Sequence, residues 1–154
     1  VLQLRPESVG HLKLVSANID DHPEIHPNYL AAEIDQRTIV KGIQIARKIA
    51  QFEPLKSHIT EEYQPGHAVA MDDYDATLNW ARNTAVTIYH PTGTCKMGSD
   101  PMAVVDHRLR VHGLRGLRVA DASIMPVITS GNTNAPAIMI GEKVSDMILE
   151  DAAS

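Results

Sequence analysis

Apolar residues recur at helical spacing in three stretches of this chain. Between residues 32 and 52, isoleucines and alanines return every three or four positions, which predicts an amphipathic helix with one apolar face. Pro54 cannot continue a helix and is expected to stop this one. Apolar positions predict two further helices, over 75–85 and 137–150. Each helix is expected to bury its apolar side against the rest of the fold.

Shorter apolar runs lie between these helices. Alternating or β-branched residues predict strands over 10–16, 85–89, 104–111 and 117–120. Stretches rich in Asp, Pro, Asn, Gly and small polar residues predict loops over 18–29, 61–73 and 129–136. Strands and helices mixed in one chain predict an α+β fold, with loops long enough to carry a functional site.

Composition narrows the class of protein. The chain has 154 residues, enough for one domain with a buried core, and 44% of them are hydrophobic. Its net charge of -5 and aromatic content of 4% argue against a nucleic-acid-binding surface. No apolar run approaches the roughly 20 residues that cross a bilayer, so no transmembrane segment is expected. We expect a cytoplasmic or peripherally membrane-associated protein.

Two motifs carry a family resemblance. The first covers residues 89–98 and reads YHPTGTCKMG. The second starts at residue 117 with LRVADASIMP, continues at 130 with SGNTNAP and reaches GEK at 141. Their order, spacing and residue types resemble the C-terminal signature of the glucose–methanol–choline (GMC) oxidoreductases, most of all the choline dehydrogenase-like branch. The opening LRPESVGHLKLVS resembles the start of the same region, so the resemblance covers nearly the whole chain.

The resemblance implies part of an FAD-dependent enzyme. The family binds FAD through an N-terminal Rossmann-like unit with a glycine-rich phosphate loop, and this sequence contains no G-x-G-x-x-G. The chain also begins without an initiator Met, in what reads as a strand. We therefore expect a C-terminal fragment whose missing FAD-binding portion precedes Val1. The fragment alone is expected to bind little or no FAD and to be inactive.

The same resemblance implies a domain arrangement. Residues 1–88 would belong to the substrate-binding region, whose sheet carries packed helices. Residues 89–154 would carry the catalytic motifs and the flavin-contacting segment, including the C-terminal helix of the FAD domain. Both parts are expected to form one compact unit.

His90 is the predicted catalytic base. Oxidising an alcohol removes a hydride from carbon and a proton from the hydroxyl, and imidazole is suited to take that proton near neutral pH. By resemblance, His90 lies beside the flavin and takes the hydroxyl proton or stabilises the alkoxide. A lone histidine in a loop is more often structural, and the flanking motif reverses that expectation. We expect His90 to follow a strand that fixes its backbone.

Asn132 is the predicted partner of His90. The family places a His or an Asn about forty residues after the catalytic histidine, and counting back from residues 141–143 gives Asn132. An amide can donate to the substrate oxygen and steady its developing negative charge, but it cannot take a proton. Without its position in the motif, Asn132 would be interpreted as a turn residue.

Five more residues are predicted to contact the cofactor. By resemblance, Asp121 and Ala122 approach the ribityl–phosphate side of FAD, although an Asp at this place could simply cap a turn. The loop along the isoalloxazine ring would contribute Thr133, Asn134 and Pro136. The cofactor then supplies the redox chemistry, while the protein orients the reacting groups.

Two other groupings suggest different chemistry. Cys95 is the only cysteine, which excludes an intrachain disulfide, and its nearness to His90 could suggest a Cys–His nucleophile. A small, buried cysteine is the preferred interpretation. His22 and His26 have i, i+4 spacing that could bind zinc on a helix, but the neighbouring prolines oppose a helix there, so no metal site is predicted.

The predicted function is oxidation of a small, choline-like alcohol by a flavin dehydrogenase or oxidase. The alternatives are a truncated, non-catalytic module that binds a partner or serves as a scaffold, and a hydroxynitrile lyase on the same scaffold. A quaternary ammonium substrate would need aromatic or carboxylate partners, and this chain has one Trp, one Phe and four Tyr.

Overall fold

The computed structural model describes residues 1–153. Within that range the structure has two strands and three α-helices: β1 (His11–Lys13), β2 (Glu24–His26), α1 (Glu33–Ile49), α2 (Tyr74–Thr84) and α3 (Asn134–Ala153). Single 3₁₀ turns occupy Lys56–His58 and Ala122–Ile124. The α+β prediction is confirmed.

The chain forms two compact units. The first is Val1–Val86, and the second begins at Thr87. This boundary lies two residues before the one expected from the sequence. The assignment of the two parts to substrate binding and to catalysis stays a prediction.

Helices α1 and α2 pack together in the first unit. Val40 and Ile43 of α1 are 2% and 8% exposed, and Leu78 and Ala81 of α2 are 6% and 2% exposed. On each helix the two buried side chains are three positions apart, so they lie on the same face of that helix. The α2 prediction is correct to within one residue at each end, whereas α1 ends three residues before the predicted position.

A buried carboxylate fastens the N-terminal segment to the start of α1. Asp35 is 2% exposed and accepts hydrogen bonds from the N–H of Glu7 at 3.0 Å and of Ser8 at 2.7 Å. The Ser8 hydroxyl also donates to Asp35 and accepts from the N–H of Ala32 at 3.0 Å. Ala32 is the N-cap of α1 and has no side chain that can cap the helix. The hydroxyl of Ser8, which is distant in sequence, binds the main chain at that end of the helix instead.

Replacing Asp35 with alanine is expected to lower the free energy of unfolding by about 2–3 kcal/mol, because the two amide groups and the hydroxyl lose a charged acceptor. Glu33→Ala is the matched control, since Glu33 lies in the same first turn and its side chain is 83% exposed. Its expected cost is below about 0.5 kcal/mol. Urea denaturation at pH 7 measures both, and equal costs would show that Asp35 does not anchor the segment.

The stabilisation from Asp35 also depends on pH. Burial alone would raise the pKa of Asp35, but the bonds from the Ser8 hydroxyl and the N–H groups of Glu7 and Ser8 lower it below 3.8 overall. A lowered pKa means that the stabilisation is complete well above pH 3.8 and is lost as the pH falls through the lowered value. The difference between wild type and the alanine variant should therefore shrink only in acid.

Strands β1 and β2 form an antiparallel pair in the first unit. His11 pairs with His26, and their rings stack with centroids 4.6 Å apart. A Cβ at Gly10 would lie 2.1 Å from the carbonyl oxygen of His26, so the approach of the two segments requires glycine there. The strand predicted over 10–16 is shorter than expected, and the loop predicted over 18–29 contains β2. Its three residues are too few for a sequence pattern to reveal.

The second unit is built around the middle of α3. Six apolar side chains at most 8% exposed form its core: Val105, Leu109, Ile124, Met125, Ile140 and Val144. Ile140 and Val144 are one turn apart on α3, and the others come from the preceding loops. The packing of these side chains holds the loops against α3.

Three of the predicted strands are absent within residues 1–153. The segments 104–111 and 117–120 form only isolated bridges, which pair Val105 with Met97 and Val111, and Arg110 with Arg118. The segment 85–89 is extended at its start but pairs with no other described segment. β-branched residues favour extended backbone, but a strand also requires a partner over several residues.

Arginine side chains tie the last turns of α3 to the loops of the second unit. The Arg108 guanidinium donates to the carbonyl oxygen of Met147 at 3.0 Å and to the carboxylates of Glu150 at 3.0 Å and Asp151 at 2.7 Å. Arg118 also pairs with Asp151, and its hydrogen bond lowers the pKa of that carboxyl. The cations lie at the helix end where the macrodipole is negative, which adds to their attraction.

A second carboxylate stabilises the turn that carries Arg108. Asp106 accepts from the N–H of Arg108 at 2.8 Å and of Arg110 at 3.0 Å, and it pairs with the Arg110 guanidinium at 2.8 Å. Burial alone would raise the pKa of Asp106, but these bonds lower it to about 2. The carboxylate is therefore charged at any ordinary pH and keeps the turn closed.

None of the helices described over residues 1–153 is long and apolar enough to cross a membrane.

Candidate active site

His90 and Thr133 meet in the second unit although 43 residues separate them in sequence. The Nδ1 atom of the His90 ring lies 2.9 Å from the Oγ1 atom of Thr133 and 3.4 Å from its main-chain nitrogen. His90 is half-buried, and Thr133 is 8% exposed. The ring is therefore held along its Nδ1 edge, which leaves Nε2 as the nitrogen that a ligand can use.

A bend in the chain, not a strand, precedes His90. Tyr89 has a φ of 64°, in the left-handed region that non-glycine residues seldom adopt. Its N–H donates to the Thr87 hydroxyl at 3.0 Å. Gly93 follows with a φ of 88°, and a Cβ there would lie 3.4 Å from the Met125 carbonyl oxygen. The expectation that a strand fixes His90 is wrong, because residues 85–90 form no strand and the chain bends at Tyr89 directly before it.

Thr133 is the residue that immediately precedes α3. Its carbonyl oxygen accepts a hydrogen bond from the N–H of Ala137 at 2.9 Å, which starts the helix. The helix begins at Asn134, three residues before the predicted start. Two of the predicted flavin neighbours, Asn134 and Pro136, are therefore in the first helical turn instead of a loop. A proline is tolerated there because the N–H groups of the first turn have no partner within the helix.

Asn132 lies beside the residue that binds His90. It follows Gly131, whose φ of 141° requires a glycine-like backbone, and its side chain is exposed. The amide is thus open to solvent, and it is one residue away in sequence from the Thr133 contact with His90. The roles of His90 and Asn132 stay predictions.

Asp121 and Ala122 are found at a 3₁₀ turn. The Asp121 carboxylate accepts from the N–H of Ser123 at 2.7 Å and so caps the turn Ala122–Ile124. This is the turn-capping role that the sequence left open as an alternative. Asp121 is also exposed, and its predicted contact with FAD stays a prediction.

Backbone hydrogen bonds place the two sequence motifs side by side. The N–H of Cys95 donates to the Ser123 carbonyl oxygen at 3.0 Å, and the N–H of Met97 donates to that of Ile124 at 2.8 Å.

Cys95 itself is a free, partly buried thiol. Among residues 1–153, no group of three or more His, Cys, Asp or Glu side chains could hold a metal ion.

Comparison with known proteins identifies the family. A family model described as GMC oxidoreductase matches residues 6–141, which is most of the chain. The chain belongs to the GMC oxidoreductase family. The prediction from the two motifs is thereby confirmed, and the motifs lie where the GMC chain brings His90 and Thr133 together.

Curated relatives and solved structures agree with this assignment. The GMC chain is 48% identical over 149 residues to an alcohol dehydrogenase [acceptor] of Pseudomonas putida, covering 97% of this chain and 27% of the relative. It is 49% identical to mitochondrial choline dehydrogenase of Mus musculus, covering 94% and 24%. An FAD-dependent oxidoreductase from Chaetomium thermophilum matches with a TM-score of 0.88 at 27% identity, covering 97% and 26%. The chain thus spans about a quarter of the length of these relatives.

The sequence did not reveal one contact of this site. Thr133 was predicted to be a flavin neighbour, and its hydrogen bond to His90 was not foreseen. The available signal was a threonine directly before a helix that has proline at its third position. That pattern removes one of the two helix N–H groups that such a side chain often binds.

Proposed function

We propose that the GMC chain carries the catalytic residues of a flavin-dependent alcohol oxidoreductase that acts on a small, choline-like alcohol. The family and its relatives named choline dehydrogenase and alcohol dehydrogenase support the reaction class. The observation that carries the proposal is the half-buried His90 ring, held at Nδ1 by a buried threonine. A base whose second nitrogen is left for the substrate is what alcohol oxidation requires.

In this proposal, His90 and Asn132 act on the alcohol oxygen. His90 takes the hydroxyl proton at Nε2. Asn132 donates an amide hydrogen to the same oxygen and stabilises its negative charge while the carbon loses hydride. Neither residue changes redox state, so the electron acceptor must be a bound cofactor.

The residues of the site fit FAD as that cofactor. Asn132 and Asn134 present exposed amides, whose N–H groups can donate to the carbonyl oxygens and unprotonated ring nitrogens of an isoalloxazine edge and whose oxygens can accept from its ring N–H. We propose that Thr133 and Pro136 form the wall along the ring and that Asp121 and Ala122 lie toward the ribityl–phosphate side. FAD, when bound, accepts the hydride from the alcohol carbon.

Anaerobic reduction tests the proposal in a protein that joins this chain to an FAD-binding portion. Adding choline in the absence of oxygen should bleach the absorbance of oxidised flavin within seconds, because no reoxidation competes. A simple primary alcohol such as butanol serves as the second substrate. Bleaching by butanol and not by choline would retain alcohol oxidation and reject the choline-like substrate.

The same experiment separates this function from the alternatives. A hydroxynitrile lyase would leave the flavin oxidised with every alcohol while releasing cyanide from a cyanohydrin. A non-catalytic module would do neither. Persistent flavin absorbance with a panel of alcohols would therefore overturn the proposal.

A further inference from the structure

We propose that Thr133 is a positioning residue for His90: its hydroxyl oxygen accepts a hydrogen bond from the Nδ1–H of the imidazole and so keeps Nε2 unprotonated and open to the substrate. This inference rests on the proposed role of His90 as the base. It gives Thr133 a function beyond the flavin contact expected from its motif.

The contact has the geometry of a fixed support. The distance of 2.9 Å between Nδ1 and Oγ1 is that of a well-formed hydrogen bond, and 8% exposure of Thr133 leaves little room for competing water. The branched Cβ of threonine restricts its χ1 angle, so the hydroxyl has few orientations to choose from. A ring held in this way loses little conformational freedom when a substrate binds.

Pro136 removes one of the two usual helix partners of the Thr133 hydroxyl. A threonine that immediately precedes a helix usually accepts a hydrogen bond from the second or third helical N–H. The third helical residue of α3 is Pro136, which has no N–H. The other partner is the N–H of Ala135; the contact found for the hydroxyl is the one with Nδ1 of His90, and the helix begins through the Thr133 carbonyl oxygen.

The two contacts at Nδ1 favour different protonation states of the ring. The main-chain N–H of Thr133 can only donate, but its nitrogen is 3.4 Å away, near the outer limit for such a bond. The hydroxyl is 2.9 Å away and can accept or donate. We assign the proton to Nδ1 on the shorter contact, which means that the longer main-chain contact is not a hydrogen bond in the working state. An accepting hydroxyl suits both states of a working base. Nδ1 carries a proton in the neutral ring with bare Nε2, and it keeps that proton after Nε2 has taken one from the alcohol.

Two substitutions separate the hydroxyl from the packing of Thr133. Thr133→Val keeps the branched shape and removes the hydroxyl, whereas Thr133→Ser keeps the hydroxyl and removes a methyl group. In the flavin-loaded protein, the valine variant should reduce flavin roughly 10- to 100-fold more slowly at saturating alcohol, with flavin content and KM little changed. The serine variant should stay within about threefold of wild type. The reverse order would show that Thr133 acts through packing and would overturn the proposal.

A double variant tests whether the effect passes through His90. Thr133→Val should slow flavin reduction in the wild type and have no further effect when combined with His90→Ala. An equal loss in both backgrounds would mean that Thr133 acts directly on the flavin, against this inference. If His90→Ala alone leaves the rate unchanged, the proposed function fails first. If it slows the reaction and Thr133→Val does not, only the positioning role fails.

Discussion

His90→Ala is expected to lower the rate of flavin reduction by alcohol about 1,000-fold while the protein keeps its flavin. The reason is that general-base catalysis contributes roughly 100- to 10,000-fold, and no second strong base has been assigned in the predicted site. The ring is half-buried and its known anchor is the hydrogen bond to Thr133, so its removal leaves the core of the second unit intact. Stopped-flow absorbance under anaerobic conditions measures the loss.

His107→Ala is the control for His90→Ala. His107 lies in the same unit, and it is exposed and outside the proposed site. Its removal should change the rate by less than about twofold, as expected for a surface substitution. Full activity of the His90 variant at unchanged flavin content would remove the catalytic base from the proposal.

Asn132 should show the second largest effect. Asn132→Ala is expected to slow flavin reduction about 100-fold, because the transition state loses a donor to its negatively charged oxygen. Asn132→Asp should be slower still, since a carboxylate of nearly the same shape repels that charge. Asn132→His keeps a donor and should retain more activity than either.

The order of these three variants is more informative than any one rate. A packing role would rank Asp closest to wild type, because its shape is almost that of Asn. A donor role ranks it last. Steady-state rates over a range of alcohol concentrations give the ranking, and near-wild-type turnover by the Asp variant would exclude the donor role.

The sequence predicted the helices better than the strands, for a physical reason. A helix closes its hydrogen bonds within one segment, so the periodicity of 32–52 and 75–85 was sufficient to find α1 and α2. A strand needs a partner, and the residues 85–89 have none in the part of the chain that the structure describes. The early start of α3 was missed because Pro136 was interpreted as a loop residue, although a first turn accepts proline.

The site was only partly predictable. The two motifs pointed to His90 and Asn132 because their spacing resembles a family, and no local pattern would have selected either residue. The contact between His90 and Thr133 depends on how the loops fold onto α3, which sequence spacing does not specify. For the same reason, the capping of the Ala122–Ile124 turn by Asp121 was left as an alternative to a cofactor contact.

The left-handed backbone of Tyr89 limits how this protein can be redesigned. Valine or isoleucine at that position would meet a steric penalty of about 1–3 kcal/mol and weaken the contact of His90 with Thr133, whereas asparagine or glycine would adopt the existing backbone conformation. Libraries built to test the proposed alcohol specificity should therefore vary residue 89 only among side chains that tolerate a positive φ. If residue 89 were randomised freely, a change in activity caused by displacement of the His90 imidazole would look the same as one caused by an altered substrate pocket.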